Sequence, residues 1–337
     1  MKKVLFATTA LVATAGYAAA DITISGSAEM GVVGGERYDY VTEYQDDTLG
    51  TVREKVSNDD IQFHNDFTIA VDGTGETDGG LTFGFHVELE ESNSPARING
   101  DSSYDNETVF ISGAFGTLTL GETDGAYDKR LKEVALAGGS IADDETEHAG
   151  FNGNAGLDPY GDEQNLRYDY DFGNFGISAS LAQTDDGRKG SDEIWGVGVS
   201  YDANLASGMT IGFGLGYQTT DDADVYGVSI YGDFGNGFEA ALNYSSLDID
   251  DTGDDDDADH IGIGVAYTMD ALTLAANYGK YDFNGDNEAE GFGLIANYDL
   301  GGGAVVQFGY GNSDVDFDDA DIDVDADSYS LGIAMSF

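Results

Sequence analysis

Between Leu81 and Glu90 every second residue is apolar: Leu81, Phe83, Phe85, Val87 and Leu89 alternate with Thr82, Gly84, His86, Glu88 and Glu90. A side-chain period of two puts the two sets on opposite faces of a β-strand. The rhythm returns where Met209, Ile211, Phe213, Leu215 and Tyr217 alternate with Thr210, Gly212, Gly214, Gly216 and Gln218. It returns through Phe238, Ala240, Leu242 and Tyr244, and through Leu272, Leu274, Ala276 and Tyr278. At the carboxyl end Tyr329, Leu331, Ile333, Met335 and Phe337 share one face, and Ser328, Ser330, Gly332, Ala334 and Ser336 share the other. The pattern predicts sixteen strands, at about 21–34, 58–71, 81–90, 107–115, 117–122, 164–170, 175–183, 193–201, 209–218, 225–232, 238–246, 260–267, 272–279, 290–298, 304–311 and 328–337. Each is close to the ~9–11 residues a tilted transmembrane strand needs, and an even number brings both ends of a closed antiparallel barrel to one side.

The connections alternate in length. "DFGN" (171–174), "TMDA" (268–271) and "DLGGG" (299–303) are turn sequences, whereas long links occupy about 35–57, 91–106, 123–163, 247–259, 280–289 and 312–327. One rim therefore carries tight turns and the other long acidic loops. Tyr170, Tyr201, Tyr231, Tyr267 and Tyr298 precede short turns, and Tyr217, Tyr244, Tyr278 and Tyr310 precede long links. Two aromatic rows at opposite strand ends match two membrane interfaces. A soluble β-sandwich also alternates, but it buries its apolar face. Glycine recurs on the non-apolar parity in "TIGFGLGYQ" and "HIGIGVAYT", which suits a lumen wall better. A closed barrel also leaves no unpaired strand edge in lipid.

Composition refines this picture. The amino-terminal "MKKVLFATTALVATAGYAAA" joins Lys2 and Lys3 to an apolar stretch and small residues at Ala18 and Ala20, so residues 1–20 read as a secretory signal and 21–337 as the barrel. No apolar run is long enough for a membrane-spanning helix. There is no cysteine, so neither a disulfide framework nor a zinc–cysteine site arises. Acidic residues number 65 against 13 basic ones, two of which leave with the signal. Such a balance repels phosphate backbones and excludes nucleic-acid partners.

Four stretches, "ITISGSAEMGV", "TVFISGAFGTLTLGETDGAYD", "NLRYDYDFGNFGISASLAQTDDG" and the terminal "YSLGIAMSF", resemble the general-diffusion porins of Gram-negative bacteria, with the alphaproteobacterial branch nearest. The likeness runs along essentially the whole chain. It implies an outer-membrane homotrimer of sixteen-stranded barrels, each passing small hydrophilic solutes through its own pore. It implies that Phe337, with Met335, Ile333, Leu331 and Tyr329, is read by the outer-membrane assembly machinery. It also implies that the third long loop, about 123–163, folds inward and narrows the channel. Asp143, Asp144, Glu145 and Glu147 are then candidates for the acidic side of the constriction.

The opposite wall departs from that family's usual basic cluster. Inward parity there gives Gln62, His64, Asp66, Thr68, His86, Glu88 and Glu90, with Arg167 as wall cation and Arg37, Arg53 or Lys55 near strand ends. Lys129, Arg130 and Lys132 open the inward loop, where pairing with its own acids is expected. An acid-dominated ring favours cations. His64 and His86, on neighbouring strands, are candidates for titration near neutral pH.

The acidic links "LDIDDTGDDDDADH" (247–260), "YDFNGDNEAE" (281–290) and "DVDFDDADIDVDADS" (314–328) read as a polyanionic rim holding Ca²⁺ loosely. Asp248, Asp250 and Asp259 have part of an EF-hand spacing, without flanking helices. Plain self-repelling loops suited to high salt are the alternative. Asn65 interrupts the apolar row Ile61, Phe63, Phe67, Ile69, and small Gly26 and Ala28 lie outward on the first strand, as a subunit interface would require. The chain has no G-x-S-x-G or H-E-x-x-H motif and no other catalytic set, and no cofactor is implied. The competing functions are a substrate-specific porin and an adhesive barrel with calcium-binding loops.

Overall fold

The computed structural model describes residues 21–36, 40–46, 50–56, 61–92, 103–141, 148–158, 164–183, 193–205, 208–249, 257–283, 287–317 and 322–337. Its strands are β1 (Asp21–Gly35), β2 (Tyr40–Asp46), β3 (Gly50–Val56), β4 (Gln62–Glu76), β5 (Thr82–Ser92), β6 (Ser103–Gly113), β7 (Gly116–Gly121), β8 (Asn165–Phe172) and β9 (Phe175–Gln183). They continue as β10 (Glu193–Asn204), β11 (Thr210–Thr219), β12 (Ala223–Asp233), β13 (Phe238–Ile249), β14 (Ala258–Met269), β15 (Leu272–Phe283), β16 (Glu288–Gly301), β17 (Ala304–Phe317) and β18 (Ile322–Ser336). A helix, α1 (Ala126–Arg130), lies between β7 and β8.

Sixteen of these strands close an antiparallel barrel in which β1 pairs with both β18 and β4, and the remaining neighbours follow chain order. The predicted barrel strands are all present. The link at 35–57, read as a bare loop, contains the separate hairpin β2–β3.

Outward and inward parity follow the sequence pattern. On β14, Ile261, Ile263, Val265 and Tyr267 are exposed on the outer face, while His260, Gly262, Gly264 and Ala266 are buried inside. The terminal row behaves likewise: Leu331 and Phe337 are 51% and 62% exposed, and Ser328, Ser330 and Gly332 are buried. An apolar exterior of this kind is stable only against lipid. At the short-turn rim Tyr170, Phe172, Phe175 and Tyr201 make a chain of ring contacts. Asp270, at a positive φ of 53°, sits in the two-residue turn between β14 and β15.

At the long-loop rim the pattern changes phase, which is why three predicted links turn out to be partly strand. β17 and β18 stay paired out to Phe317 opposite Ile322. β15 and β16 stay paired out to Asp282 opposite Glu288, and β13 and β14 out to Leu247 opposite Ala258. Below this level the apolar residues face out, and above it the acids do. Asp259, Asp282, Glu288, Asp316 and Asp323 form one cross-strand row on the outward parity. Tyr281, Phe283 and Phe317 turn to the inward parity and contact one another beside His260. The switch sits just above a row of outward tyrosines bonded to carboxylates of the next strand. These are Tyr244 to Asp259 (2.8 Å), Tyr278 to Glu290 (2.6 Å) and Tyr310 to Asp327 (2.7 Å). A phenol with an apolar body and a polar tip belongs at a membrane–water boundary.

Candidate functional site

The segment after β7 turns into the barrel and lies along its inner wall. Tyr127 of α1 is fully buried among Leu131, Leu157, Ala182, Ile194 and Val225. Its ring rests against Gly216 and Gly227, where a side chain would overlap it. Further on, the Val134 carbonyl lies over Gly264, and Ile141 packs against Gly31 and Gly332. The inward glycines of β11 to β18 are therefore the bed of this loop rather than bare lumen wall.

Polar side chains of the wall fasten the backbone. Ser180 accepts from the Ala126 N–H (2.9 Å), Ser229 from the Lys132 N–H (2.8 Å), and Asn297 donates to the Ala137 and Gly139 carbonyls (both 3.0 Å). On the return limb His260 bonds the Gly150 carbonyl (2.9 Å), and Asn152 donates to Ser245 (3.1 Å). Gln218, at 0% exposure, joins the two ends. Its Oε1 accepts from the Leu157 N–H (2.8 Å) and its Nε2 donates to Asp158 (2.6 Å), which in turn accepts from the Gly125 N–H (2.7 Å). Of the arc β4, β5 and β6, only β6 is bonded to this segment among the described residues, at its root, where the Asn106 N–H donates to Glu122 (2.8 Å) and the Glu122 N–H to the Glu107 carbonyl (3.0 Å), so the aperture lies between that arc and the rest of the loop.

The expected wall cations are present but are tied down. Arg130 donates to Ser178 (2.7 Å), Asp171 (2.8 Å) and the Ile177 carbonyl (2.9 Å). Arg167 donates to Asp169 (3.0 Å) and Thr123 (2.9 Å), and Lys132 pairs with Asp202 (3.0 Å). The expectation that Arg130 and Lys132 pair with acids of their own loop is therefore corrected. The loop runs close against the wall, so wall carboxylates at the short-turn side are nearer. Lys129 alone of the three is exposed.

Across the aperture Glu29, Asp66, Glu88 and Glu90 share the inward parity of β1, β4 and β5, as predicted for the last three. His86 lies between Asp72 (2.8 Å) and Glu88 (3.3 Å), and buried His64 approaches Glu29 (3.6 Å). Asp143, Asp144, Glu145, Glu147 and Asp250 lie outside the described residues. Asp248 is exposed on the outer face of β13 opposite Asp224, and Asp259 is held by Tyr244 one strand away. Among the described residues no three His, Asp or Glu side chains are arranged to hold a metal ion. Sequence reasoning passed over Gln218, although one large amide on a face of glycines was the available signal.

A closed sixteen-stranded barrel, apolar outside and polar within, its lumen narrowed by an internal loop, defines a β-barrel membrane channel. The family model described as Gram-negative porin matches residues 7–319, and the chain belongs to that family. It is 27% identical over 297 residues to a porin of Rhodobacter capsulatus, covering 77% of this chain and 90% of that one. Two solved variants of the Rh. blastica porin superpose with TM-scores of 0.65 and 0.63, each at 18% identity, covering 94% of this chain and 100% of theirs. The protein is thus a multi-pass outer-membrane β-barrel porin, a channel.

Proposed function

We propose that this porin is a cation-preferring channel for passive diffusion of small hydrophilic solutes. The observation that carries the reading is the charge asymmetry of the lumen. Arg130, Arg167 and Lys132 are neutralised by Asp169, Asp171 and Asp202, while Glu29, Asp66, Glu88 and Glu90 line the open arc. Rings of carboxylate select cations by lowering their energy in the constriction. Asp143, Asp144, Glu145 and Glu147 supply the acidic edge of the loop in this reading. The test is the reversal potential across a potassium chloride gradient in a planar bilayer. Potassium preference is expected, reduced in the combined variant Glu29→Gln, Asp66→Asn, Glu88→Gln, Glu90→Gln. Anion preference in the unmodified protein would refute it.

The same reading includes export through residues 1–20, which lie outside the described residues, and recognition of Phe337 and its row by the assembly machinery. It includes a homotrimer joined near β1 and β4, supported by exposed Asn65 opposite Met30 and by small Gly26 and Ala28 on the neighbouring strand. It also includes loosely held Ca²⁺ at the outer rim. Support comes from the row Asp259, Asp282, Glu288, Asp316, Asp323, in which like charges stand directly opposite across strands and destabilise a sheet, with Lys280 offsetting part of this at Asp282 and Glu288. Calcium is expected to raise the unfolding temperature above that in sodium chloride of equal ionic strength, and chelation to remove the gain. Equal temperatures in the two salts would reduce the rim to simple screening.

A further inference from the structure

The outer wall is not evenly clad. Across β7 to β11 it carries an apolar groove of about 480 Å³. Leu118, Tyr168, Ala179, Val197 and Tyr217 stand opposite one another in one cross-strand row, and Ala179 is the single small side chain among them. A methyl group where its neighbours carry rings and branched chains leaves the floor of the groove there. Trp195, two residues from Val197 towards the long-loop rim, walls the outer end and is 55% exposed.

The polar tips of both tyrosines are turned out of the groove. The Tyr217 hydroxyl donates to Asp224 (2.5 Å) at the long-loop boundary. The Tyr168 hydroxyl donates to the Phe115 carbonyl, in the short turn between β6 and β7. The groove therefore runs obliquely between the two membrane boundaries, at the depth of the hydrocarbon. Its exposed flanks, Ile177, Val199 and Leu215, continue the apolar exterior of the barrel on either side. The groove is thus one piece with the lipid interface. It also lies five strands round from β4, away from the Asn65, Gly26 and Ala28 patch.

We propose that this groove is a lipid-binding site that holds one acyl chain of an outer-leaflet lipid, with the chain's ester carbonyl accepting from the Trp195 indole N–H. Water is a poor occupant, because the body of the groove offers it no polar partners. A gap beside a rigid wall forfeits dispersion contacts, and a flexible unbranched chain is the component of the surroundings that can follow an oblique slot. The volume lies within the range of small-molecule sites. The indole N–H has no acceptor among the described residues, and an interfacial indole with its ring in hydrocarbon directs that donor to the ester level of the lipid.

Trp195 is the only tryptophan of the chain, so its fluorescence reports on the groove alone. The test places the folded full-length barrel in phosphatidylcholine liposomes containing a rising share of lipid brominated mid-chain. Bromine should quench Trp195 in the parent protein. Ala179→Leu fills the floor and should lower the quenching about twofold at equal bromolipid content. The same change at Ala276, outward on β15 between Val265 and Leu294, should leave quenching at the parent value. Native mass spectrometry after detergent extraction should find one phospholipid retained per protomer in the parent and none in Ala179→Leu. Trp195→Phe keeps an aromatic ring but no donor, and should lower retention of ester-linked lipid while leaving retention of ether-linked lipid unchanged. Equal quenching and retention in the parent and Ala179→Leu overturn the site and leave an ordinary lipid annulus, as does an equal loss in Ala276→Leu. A parent Trp195 that bromolipid does not reach also overturns it, and gives the groove to a second copy of the chain. Ester-lipid retention indifferent to Trp195→Phe overturns the indole contact.

Discussion

Replacing Gln218 with leucine is expected to release the inward loop and raise both the single-channel current and the size limit for uncharged sugars. The amide is fully buried and holds the returning end of the loop through the Leu157 N–H and the Asp158 carboxylate, which in turn accepts from the Gly125 N–H at the other end. Leucine has similar bulk but no polar atoms, so an N–H and a carboxylate oxygen lose their partner. Each such loss costs about 1–3 kcal/mol. The barrel ladder is untouched, since it rests on main-chain pairing of β11 with β10 and β12. The loop, fastened by single side-chain bonds, is the part that yields. Gly216→Val tests the same seat from below, because a branched side chain there drives Tyr127 off the wall. Both variants should conduct more than the parent protein. Unchanged current and sugar limit in both would mean that the loop does not set the aperture.

The second large effect concerns parity. Ile263→Arg, midway along the outer face of β14, places a guanidinium in lipid and should destabilise the folded barrel by about 2–4 kcal/mol. Thr68→Arg on β4 carries the same side chain into the lumen, opposite Glu90, where water and the acidic arc receive it. It should leave unfolding in urea nearly unchanged and lower potassium preference. The two substitutions are chemically alike and differ only in the face they occupy. Equal destabilisation by both would contradict the inside-out assignment.

Much of this architecture was legible because a period of two needs nothing beyond the chain. Once Ile261, Ile263 and Val265 alternate with Gly262, Gly264 and Ala266, one face is apolar wherever the strand lies. Tyrosines at fixed strand ends then mark the two boundaries. The same logic failed at the long-loop rim, where apolar and acidic residues exchange faces. Val315, Phe317, Ile322 and Val324 are apolar on the inward parity, so the run read as a polar link although its pairing continues. A flat solvent assumption breaks down where lipid gives way to water along one strand.

The lumen was less legible. Arg130, Arg167 and Lys132 are cations in any reading of the chain, but whether they present charge to a passing ion depends on partners distant in sequence. Arg130 meets Asp171, 41 residues away, only because α1 is pressed against β9 and β10. The glycines of β11 to β14 announced an uncrowded inner face, and only the folded loop revealed what occupied it. The sequence by itself determined strand number, face polarity and the surplus of acid, because these follow from local alternation and composition. The tertiary structure decided which charges are spent and where the loop rests, because those depend on pairwise distances that closure of the barrel creates.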